Sequence, residues 1–246
     1  MGYTGSNKFS DNIEAFVRKS IEPFVVAIRT YIELCFIDCE DVAENQENKV
    51  VTIFLSYCQK DMDIADCLEE NIAPYICDKV KISRDIRDVE YHESFKRFMQ
   101  SIEKHDYVIT IISDNYLKSR NCMFEMLEVV KDSYFSKKLL FIVLGDDDAK
   151  YYKNIPQEGI SADVYSALGQ AKYSKYWSSV DKELEIEIEE IGDPMHAILQ
   201  IKEKQIVQKI LLDMPEFLEF IRDNKGLTLS EHIEKGFEDM ISFMGL

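Results

Sequence analysis

An apolar run at residues 107–113 limits the folds that this chain can adopt. It reads Tyr-Val-Ile-Thr-Ile-Ile-Ser and is dominated by β-branched side chains. A strand with one face in water alternates apolar and polar residues, and this run does not. Continuous apolar strands are typical of parallel sheets that are buried on both faces. The run therefore predicts a central strand of such a sheet.

Strands and helices are predicted to alternate over residues 50–144. Four strand-like runs are separated by segments with helical spacing, and the first of these helices is expected to stop before Pro74. The predicted strands are Val50–Ser56, Val80–Ser83, Tyr107–Ser113 and Leu139–Leu144, and the predicted helices are Asp61–Ile72, Glu93–His105 and Ser119–Asp132. This order predicts an α/β fold, a doubly wound parallel sheet with helices on both faces.

The segment before this unit is predicted to be an added helix. Residues 11–38 space their apolar side chains as a helix does, and Pro23 is expected to kink it. The apolar stripe of this helix must be buried, either against the rest of the chain or against another copy. An acidic linker follows, so residues 1–48 are predicted as a helical extension and linker.

The segment after residue 150 has weaker patterns. We expect a fifth strand within Tyr165–Trp177, and either an edge strand or an irregular helix at Glu183–Ile191. The last predicted helices are His196–Met214, Glu216–Asp223 and Ser230–Met244, with Ser230 as the N-cap. The core domain is thus predicted at 49–180, and a helical region at 181–246 partly completes it.

Charge and composition exclude several classes of partner. The 246 residues carry a formal net charge of −17, which argues against nucleic acids and anionic membranes as partners. The most apolar N-terminal stretch, Phe24–Ile37, contains Arg29 and Glu33, so we expect no spanning helix and no export signal. The six cysteines form no CxxC pair and the four histidines no cluster. We therefore expect reduced thiols in a cytoplasmic protein, and no metal site.

The helix that follows the 107–113 run carries the first candidate for chemistry. Ser119 is placed to cap this helix, and Glu125 lies six residues further along. Open α/β sheets bind ligands at the carboxyl ends of their strands, and this helix starts there. Helical spacing alone does not distinguish Glu125 from a solvated helix carboxylate such as Glu128.

Three motifs, taken in order, resemble those of the TIR (Toll/interleukin-1 receptor) domain family. They are Ile53–Tyr57 followed by Asp61, then Arg84–Asp88, and then Ile111–Tyr116 followed by Ser119-x-x-Cys122-x-x-Glu125. Each motif is weak by itself, but the ordered set is specific. The resemblance covers about residues 50–180. It implies a flavodoxin-like fold with a parallel five-stranded sheet.

The resemblance also implies an activity, since bacterial, plant and some animal members cleave NAD at the nicotinamide–ribose bond. A glutamate at the position of Glu125 is the essential residue of that branch. NAD is then the substrate rather than a cofactor, and the product is ADP-ribose or a cyclic isomer of it. A bacterial immune role against phage is implied, through NAD depletion or through a nucleotide signal to an effector protein.

Family members resemble one another in forming their sites partly through contacts between copies. The loop implied in this contact is 84–92 here, and its charges alternate in sign. Such a head-to-tail contact can propagate into filaments. Self-association through TIR–TIR contacts is therefore expected.

Six further residues are candidates for substrate contact: Ser56, Tyr57, Arg84, Asp85, Ser119 and Cys122. Ser56 and Tyr57 end the first strand, where a ligand would rest. Arg84 and Asp85 open the loop that resembles the substrate-gating loop of the family, although they are equally typical of surface charges. Ser119 is either a plain N-cap or a substrate contact. Cys122 also fits the buried face of its helix.

Three rival functions are compatible with the same sheet topology, and the residues exclude one of them. A TIR scaffold without activity would keep the fold and use it only for assembly. A nucleoside deoxyribosyltransferase-like enzyme would also use a carboxylate on an N-glycosidic bond. A phosphoacceptor receiver domain is rejected, because it needs an acidic pocket where the first strand here ends in Ser56 and Tyr57.

Overall fold

The computed structural model describes residues 50–76, 80–84, 104–131, 137–156, 158–224 and 226–246. Several predictions concern residues outside these ranges. They are the helix and linker of residues 1–48, most of the helix at 93–105, and the loop 84–92 beyond Arg84.

A parallel sheet occupies the centre of the described residues. Its strands are β1 (Val51–Ser56), β2 (Val80–Arg84), β3 (Tyr107–Ile112) and β4 (Leu139–Val143). They lie in the order β2-β1-β3-β4, and every pairing is parallel. From β1 the chain adds β2 on one side and then β3 and β4 on the other, so the strand order switches between β1 and β3. Flavodoxin-like folds bind ligands in the crevice at the carboxyl ends of two such strands.

Helices cover both faces of the sheet. In chain order they are α1 (Met62–Ile76), α2 (Asp114–Lys118), α3 (Arg120–Val130), α4 (Ala167–Ile191), α5 (Ile198–Asn224), α6 (Leu229–Glu234) and α7 (Glu238–Met244). Short 3₁₀ turns at Gln59–Asp61 and Asp146–Tyr151 follow β1 and β4. The predicted doubly wound α/β arrangement is confirmed.

Two apolar clusters form the core, one on each side of the sheet. Successive residues of a strand point to opposite faces, so Phe54 packs with α3, α4 and α5, whereas Ile53 and Leu55 pack with α1, α6 and α7. The central strands are almost fully buried, with Val108, Ile111 and Ile112 at 0% exposure. This explains why the 107–113 run shows no alternation.

The prediction of a fifth strand at Tyr165–Trp177 is wrong. Ser166 caps a 25-residue helix there, since its hydroxyl accepts a hydrogen bond from Gly169 N at 2.9 Å. Tyr173 and Trp177 are spaced by four residues and are buried together against the core, as one face of a helix requires. The same helix includes Glu183–Ile191 and ends at Gly192, which adopts a left-handed φ of 71°.

Within the described residues, the sheet therefore has four strands. The outer edge of β4 meets a single residue, Leu227, which forms an isolated bridge to Ile142 and accepts a hydrogen bond from Val143 N at 3.1 Å. Gly226 permits this approach, because a side chain there would meet Val143 Cγ2 at 2.8 Å and Phe141 O at 3.0 Å.

Two helices were predicted to end before a proline, but each continues through it. Helix α1 continues through Pro74 to Ile76, and α5 continues through Pro215 as one helix instead of two. A proline inside a helix costs about 3 kcal/mol. Around Pro215 this cost is offset by burial, since Met214, Phe217 and Leu218 all lie in the core.

The C-terminal helices begin and end differently from the prediction. Thr228, not Ser230, is the N-cap of α6, and Glu231 completes a capping box with it. Ser230 instead donates to Asp148. A break at Gly236 and Phe237, both with positive φ, separates α6 from α7. Among the described residues, no helix has the length and apolarity needed to cross a membrane.

Candidate active site

A buried carboxylate, Asp61, joins three loops at the carboxyl edge of the sheet. It is fully buried and accepts hydrogen bonds from Ser113 Oγ (2.5 Å), Tyr152 Oη (2.7 Å) and Asn115 Nδ2 (3.0 Å). Asp61 follows β1, Ser113 and Asn115 follow β3, and Tyr152 follows β4. One side chain therefore ties together the ends of three neighbouring strands.

The protonation of this network follows from its burial. Burial raises the pKa of Asp61 above its ordinary value, and the hydrogen bonds from Ser113, Asn115 and Tyr152 reduce the rise without cancelling it. The pKa of Tyr152 is also raised strongly, first by burial and then by the charge of Asp61. Tyr152 therefore stays protonated as a donor, and the network positions the loops around the crevice.

Ser56 and Tyr57, the predicted site residues at the end of β1, face opposite sides of the sheet. Ser56 is 1% exposed, and its hydroxyl lies 3.4 Å from Tyr116 Oη, on the side of α3. Tyr57 packs with the cluster on the other side. The structure therefore brings Ser56, and not Tyr57, to the side of the sheet that α3 covers.

Helix α3 carries three of the predicted site residues. Ser119 is its N-cap, as predicted, with its hydroxyl accepting from Cys122 N at 3.4 Å. Cys122 is 4% exposed and belongs to the core cluster that includes Phe54 and Met126. The structure thus gives both Ser119 and Cys122 a structural role, while their contact with substrate stays a prediction.

Glu125 is buried on the same helix. It is 2% exposed, and Cys122 and Val129 lie on the same helical face at spacings of three and four residues. It lies six residues after the N-cap Ser119, about 9 Å along the helix at 1.5 Å per residue. The carboxylate of Glu125 therefore lies on the core-facing side of α3.

Glu128 provides a comparison on the same helix. Its side chain is 25% exposed and pairs with Lys209 at 2.5 Å and with Lys131 at 3.6 Å. The two glutamates are one turn apart in sequence but differ in environment. The structure therefore distinguishes the buried Glu125 from Glu128, which pairs with surface lysines. Helical spacing alone did not distinguish them.

Arg84 lies at the end of β2 and is held against α1. Its Nε donates to Glu69 Oε1 and its Nη1 to Asp66 Oδ1, both at 2.5 Å, and its Nη2 donates to Ala65 O at 3.1 Å. The hydrogen bond to Glu69 is the main reason why the pKa of Arg84 is raised. These contacts anchor the start of the 84–92 loop. Asp85, its predicted partner in substrate binding, lies outside the described residues.

A polar cavity of about 480 Å³ opens between the ends of β3 and β4. Asp114 lines it and binds both lysines of the cavity, Lys118 at 2.6 Å and Lys172 at 2.8 Å. Burial raises the pKa of Asp114. The hydrogen bonds and positive charges of the two lysines lower it by a larger amount, so the net shift of the pKa is downward. Among the described residues, no group of three or more His, Cys, Asp or Glu side chains is placed to share a metal ion.

Three residues that order this edge were not predicted from the sequence in that role: Tyr116, Tyr152, and Asp61 as a hydrogen-bond centre. A signal for Asp61 was present, because Asp61 and the Ser113–Asn115 segment follow strands predicted to be parallel. No comparable signal identified Tyr116 or Tyr152, since each meets its partner across about 60 or 90 residues of sequence.

Comparison with known proteins identifies the family. The family model described as TIR domain matches residues 53–186, which is more than half of the chain, and the chain therefore belongs to the TIR domain family. Comparisons with curated proteins and with solved structures gave no significant match. The match includes most of β1, the Asp61 network and α3, so the site described above lies inside the family domain.

Proposed function

We propose that this TIR domain cleaves NAD at the bond between nicotinamide and ribose, with Glu125 as the catalytic carboxylate. The burial of Glu125 is the observation that supports this most. Buried carboxylates are uncommon, and those in perturbed environments are concentrated at functional sites. Glu125 is 2% exposed on α3, the second helix after the central strand β3. This fold binds ligands at the carboxyl ends of its strands, where the connection to α3 begins.

A single carboxylate is sufficient for the bond cleavage. Nicotinamide in NAD is already cationic, so it departs as a neutral molecule and needs no general acid. The ribose becomes an oxocarbenium-like cation in the transition state. A fixed negative charge stabilises that cation, and it does so more strongly in a buried site than in water.

The same carboxylate has a role in the second step. By accepting a proton from the incoming nucleophile, Glu125 would activate it for attack on the ribosyl cation. Water as the nucleophile gives ADP-ribose, whereas an internal hydroxyl or the adenine ring gives a cyclic isomer. In a bacterial cell, either reaction would deplete NAD, and a cyclic product would also serve as a signal to an effector protein.

The test is product analysis of the purified full chain incubated with NAD. Glu125→Gln should reduce turnover about 100-fold or more, because it preserves volume and removes the stabilising charge. Glu128→Gln, one turn away on α3, is the matched control and should stay near wild type. Equal activity of Glu125→Gln and wild type would overturn the assignment.

Two other results would redirect the proposal. Wild-type protein that turns over no NAD at any protein concentration would favour a TIR scaffold without activity. Turnover of deoxynucleosides in place of NAD would favour a deoxyribosyltransferase-like enzyme.

We propose further that turnover depends on contacts between copies of the chain. The net charge of −17 makes copies repel one another, and salt screens this repulsion. Specific activity should therefore rise with protein concentration, and more so at moderate salt. Arg87→Ala is the better loop variant for this test, since Arg84 also anchors β2 to α1. Constant specific activity down to dilute monomer would contradict the proposal.

A further inference from the structure

Helices α4 and α5 form an antiparallel hairpin that continues past the core. Glu185 lies six residues before the end of α4 and pairs at 3.2 Å with Lys204, which lies six residues after the start of α5. The buried residues of α4 end at Trp177, and those of α5 begin at Ile206. Between these two positions the structure describes every residue, and Ala197 alone is buried. The closed end of the hairpin therefore extends beyond the core.

The hairpin tip, defined as residues 183–201, exposes apolar side chains around an ordered turn. Asp193 O accepts a hydrogen bond from His196 N at 3.0 Å, and Asp193 Oδ1 accepts one from Met195 N at 2.8 Å. Met195 is nevertheless 73% exposed, and Leu199 is 72% exposed. The other large apolar side chains exposed at the tip are Ile186, Ile191 and Ile198. Several exposed apolar side chains in one region, rimmed by polar residues, are typical of interaction sites.

The open face of α5 continues a face that α3 covers further along the helix. Arg120, the first residue of α3, forms an ion pair with Glu203, and Lys131, its C-cap, pairs with Asp213 at 2.5 Å. Helices α3 and α5 therefore lie side by side and run in the same direction. Leu199 is four residues before Glu203, so it lies on the same face of α5, one turn beyond the start of α3. A further helix in line with α3 would cover this part of the face.

The charge of the hairpin tip selects a basic partner. Residues 183–201 contain six exposed carboxylates and neither lysine nor arginine. The carboxylates are those of Glu183, Glu185, Glu187, Glu189, Glu190 and Asp193. A second copy of the chain would bring the same charges and be repelled, and so would a nucleic acid or an anionic membrane. Lysine and arginine beside an apolar face would instead be attracted to this surface.

We propose that the hairpin tip is a docking surface for a basic amphipathic helix of a partner protein. The apolar face of that helix would cover Met195, Ile198 and Leu199, and its basic residues would pair with the glutamates of α4. This is the mode in which an amphipathic helix lays its apolar face on an apolar surface. The proposal does not depend on NAD cleavage by Glu125.

The first experiment measures binding of a labelled peptide to the full chain by fluorescence anisotropy. The peptide consists of leucine and lysine at helical spacing. Combining Met195→Ser with Leu199→Ser should weaken its binding about tenfold, because two apolar side chains leave the contact. Leu212→Ser is the matched control, since Leu212 is 78% exposed on α5 outside the tip, and should bind as wild type does. Wild-type affinity in the double variant, or no binding by wild type, would overturn the proposal.

The second experiment tests the contribution of charge. Combining Glu187→Gln with Glu190→Gln should weaken peptide binding about threefold at low salt, and the difference should shrink as salt rises. Glu216→Gln with Glu219→Gln removes the same charge from exposed positions elsewhere on α5 and is the control. A peptide of the same composition, reordered so that it has no apolar face, should bind weakly. Equal binding of the two peptides would show attraction by net charge alone and would overturn the docking surface.

Sedimentation velocity of wild type and of the Met195→Ser, Leu199→Ser variant tests the other occupant, a second copy of the chain. The two proteins should sediment alike, because the tip is not expected to join copies. Loss of an oligomer in the variant would assign the tip to a contact between copies and overturn the basic partner. Circular dichroism should match wild type for every variant, since all the substituted side chains are exposed.

Discussion

The carboxyl edge of the sheet and the C-terminal helices each bury a titratable side chain, but the two side chains differ in their hydrogen-bond partners. At the carboxyl edge, Asp61 is saturated by three donors. In α6, His232 is 4% exposed, and neither of its ring nitrogens has a hydrogen-bond partner among the residues that the structure describes. His232 is instead stacked on Phe237, with ring planes 3° apart.

The difference shows how each region is stabilised. A buried polar group that finds its partners can link distant segments, whereas one without partners costs about 1–3 kcal/mol. Asp61 links three loops around the candidate site. His232 is tolerated because the apolar packing around α6 and α7, which includes Leu229, Phe237 and Met240, outweighs its cost.

The largest effect is expected from removing the centre of the Asp61 network. Asp61→Ala leaves Ser113, Asn115 and Tyr152 without their acceptor, and should lower the free energy of unfolding by about 3 kcal/mol or more. Asp61→Asn keeps one acceptor oxygen and should lose roughly half as much. Urea denaturation of both variants checks this. Equal stability of Asp61→Ala and wild type would show that the network does not link the loops.

A second buried carboxylate, Asp148, tests whether the stability of the C-terminal helices also depends on a group with all its hydrogen bonds made. Asp148 is fully buried and accepts from Gly145 N (2.9 Å), Ser230 N (2.8 Å) and Ser230 Oγ (2.7 Å). It joins the 3₁₀ turn after β4 to the start of α6. Asp148→Ala should cost about 2 kcal/mol, and Ser230→Ala, which loses one of these bonds, about 1 kcal/mol. A larger loss for Ser230→Ala than for Asp148→Ala would contradict this order.

The two regions should respond to acid with opposite signs. Burial lowers the pKa of His232 below 6.5, so just below pH 6.5 the unfolded chain binds a proton that the folded chain does not. This costs stability as the pH falls, by at most about 1.4 kcal/mol per pH unit. The pKa of Asp61 is raised above 3.8, so its titration adds stability as the pH falls toward that value.

Thermal or urea unfolding of matched variants between pH 7 and pH 4 separates the two contributions. His232→Leu should flatten the stability curve just below pH 6.5, whereas Asp61→Asn should remove the gain just above pH 3.8. A loss just below pH 6.5 that persists in His232→Leu would assign it to another group.

The smallest effect is expected at His232 itself at neutral pH. His232→Leu removes two nitrogens without partners and keeps an apolar side chain in the site, so it should raise the free energy of unfolding by up to about 1 kcal/mol. Phe237→Leu is the control, because it removes the stacked ring and should destabilise. Destabilisation of His232→Leu would show that the imidazole makes a favourable contact that its packing on Phe237 does not reveal.

Much of the fold was predictable because local patterns and burial agreed. The strands were predicted to within one residue at each end, and Ser119 was identified as a cap from its position alone. The errors lie where packing outweighed a local rule. Pro74 and Pro215 remained in helices, and the segment around Trp177 formed a helix rather than a strand.

By itself, the sequence determined the parallel sheet, its helices and the family, because β-branched runs, helical spacing and ordered motifs are properties of neighbouring residues. Only the tertiary structure decided that Glu125 is buried while Glu128 pairs with lysines, and that Arg84 is held by α1. It also decided which residues share a hydrogen-bond network, namely Asp61 with Ser113 and Tyr152. Such pairs are distant in sequence, and they meet because β1, β3 and β4 end at one edge of the same sheet.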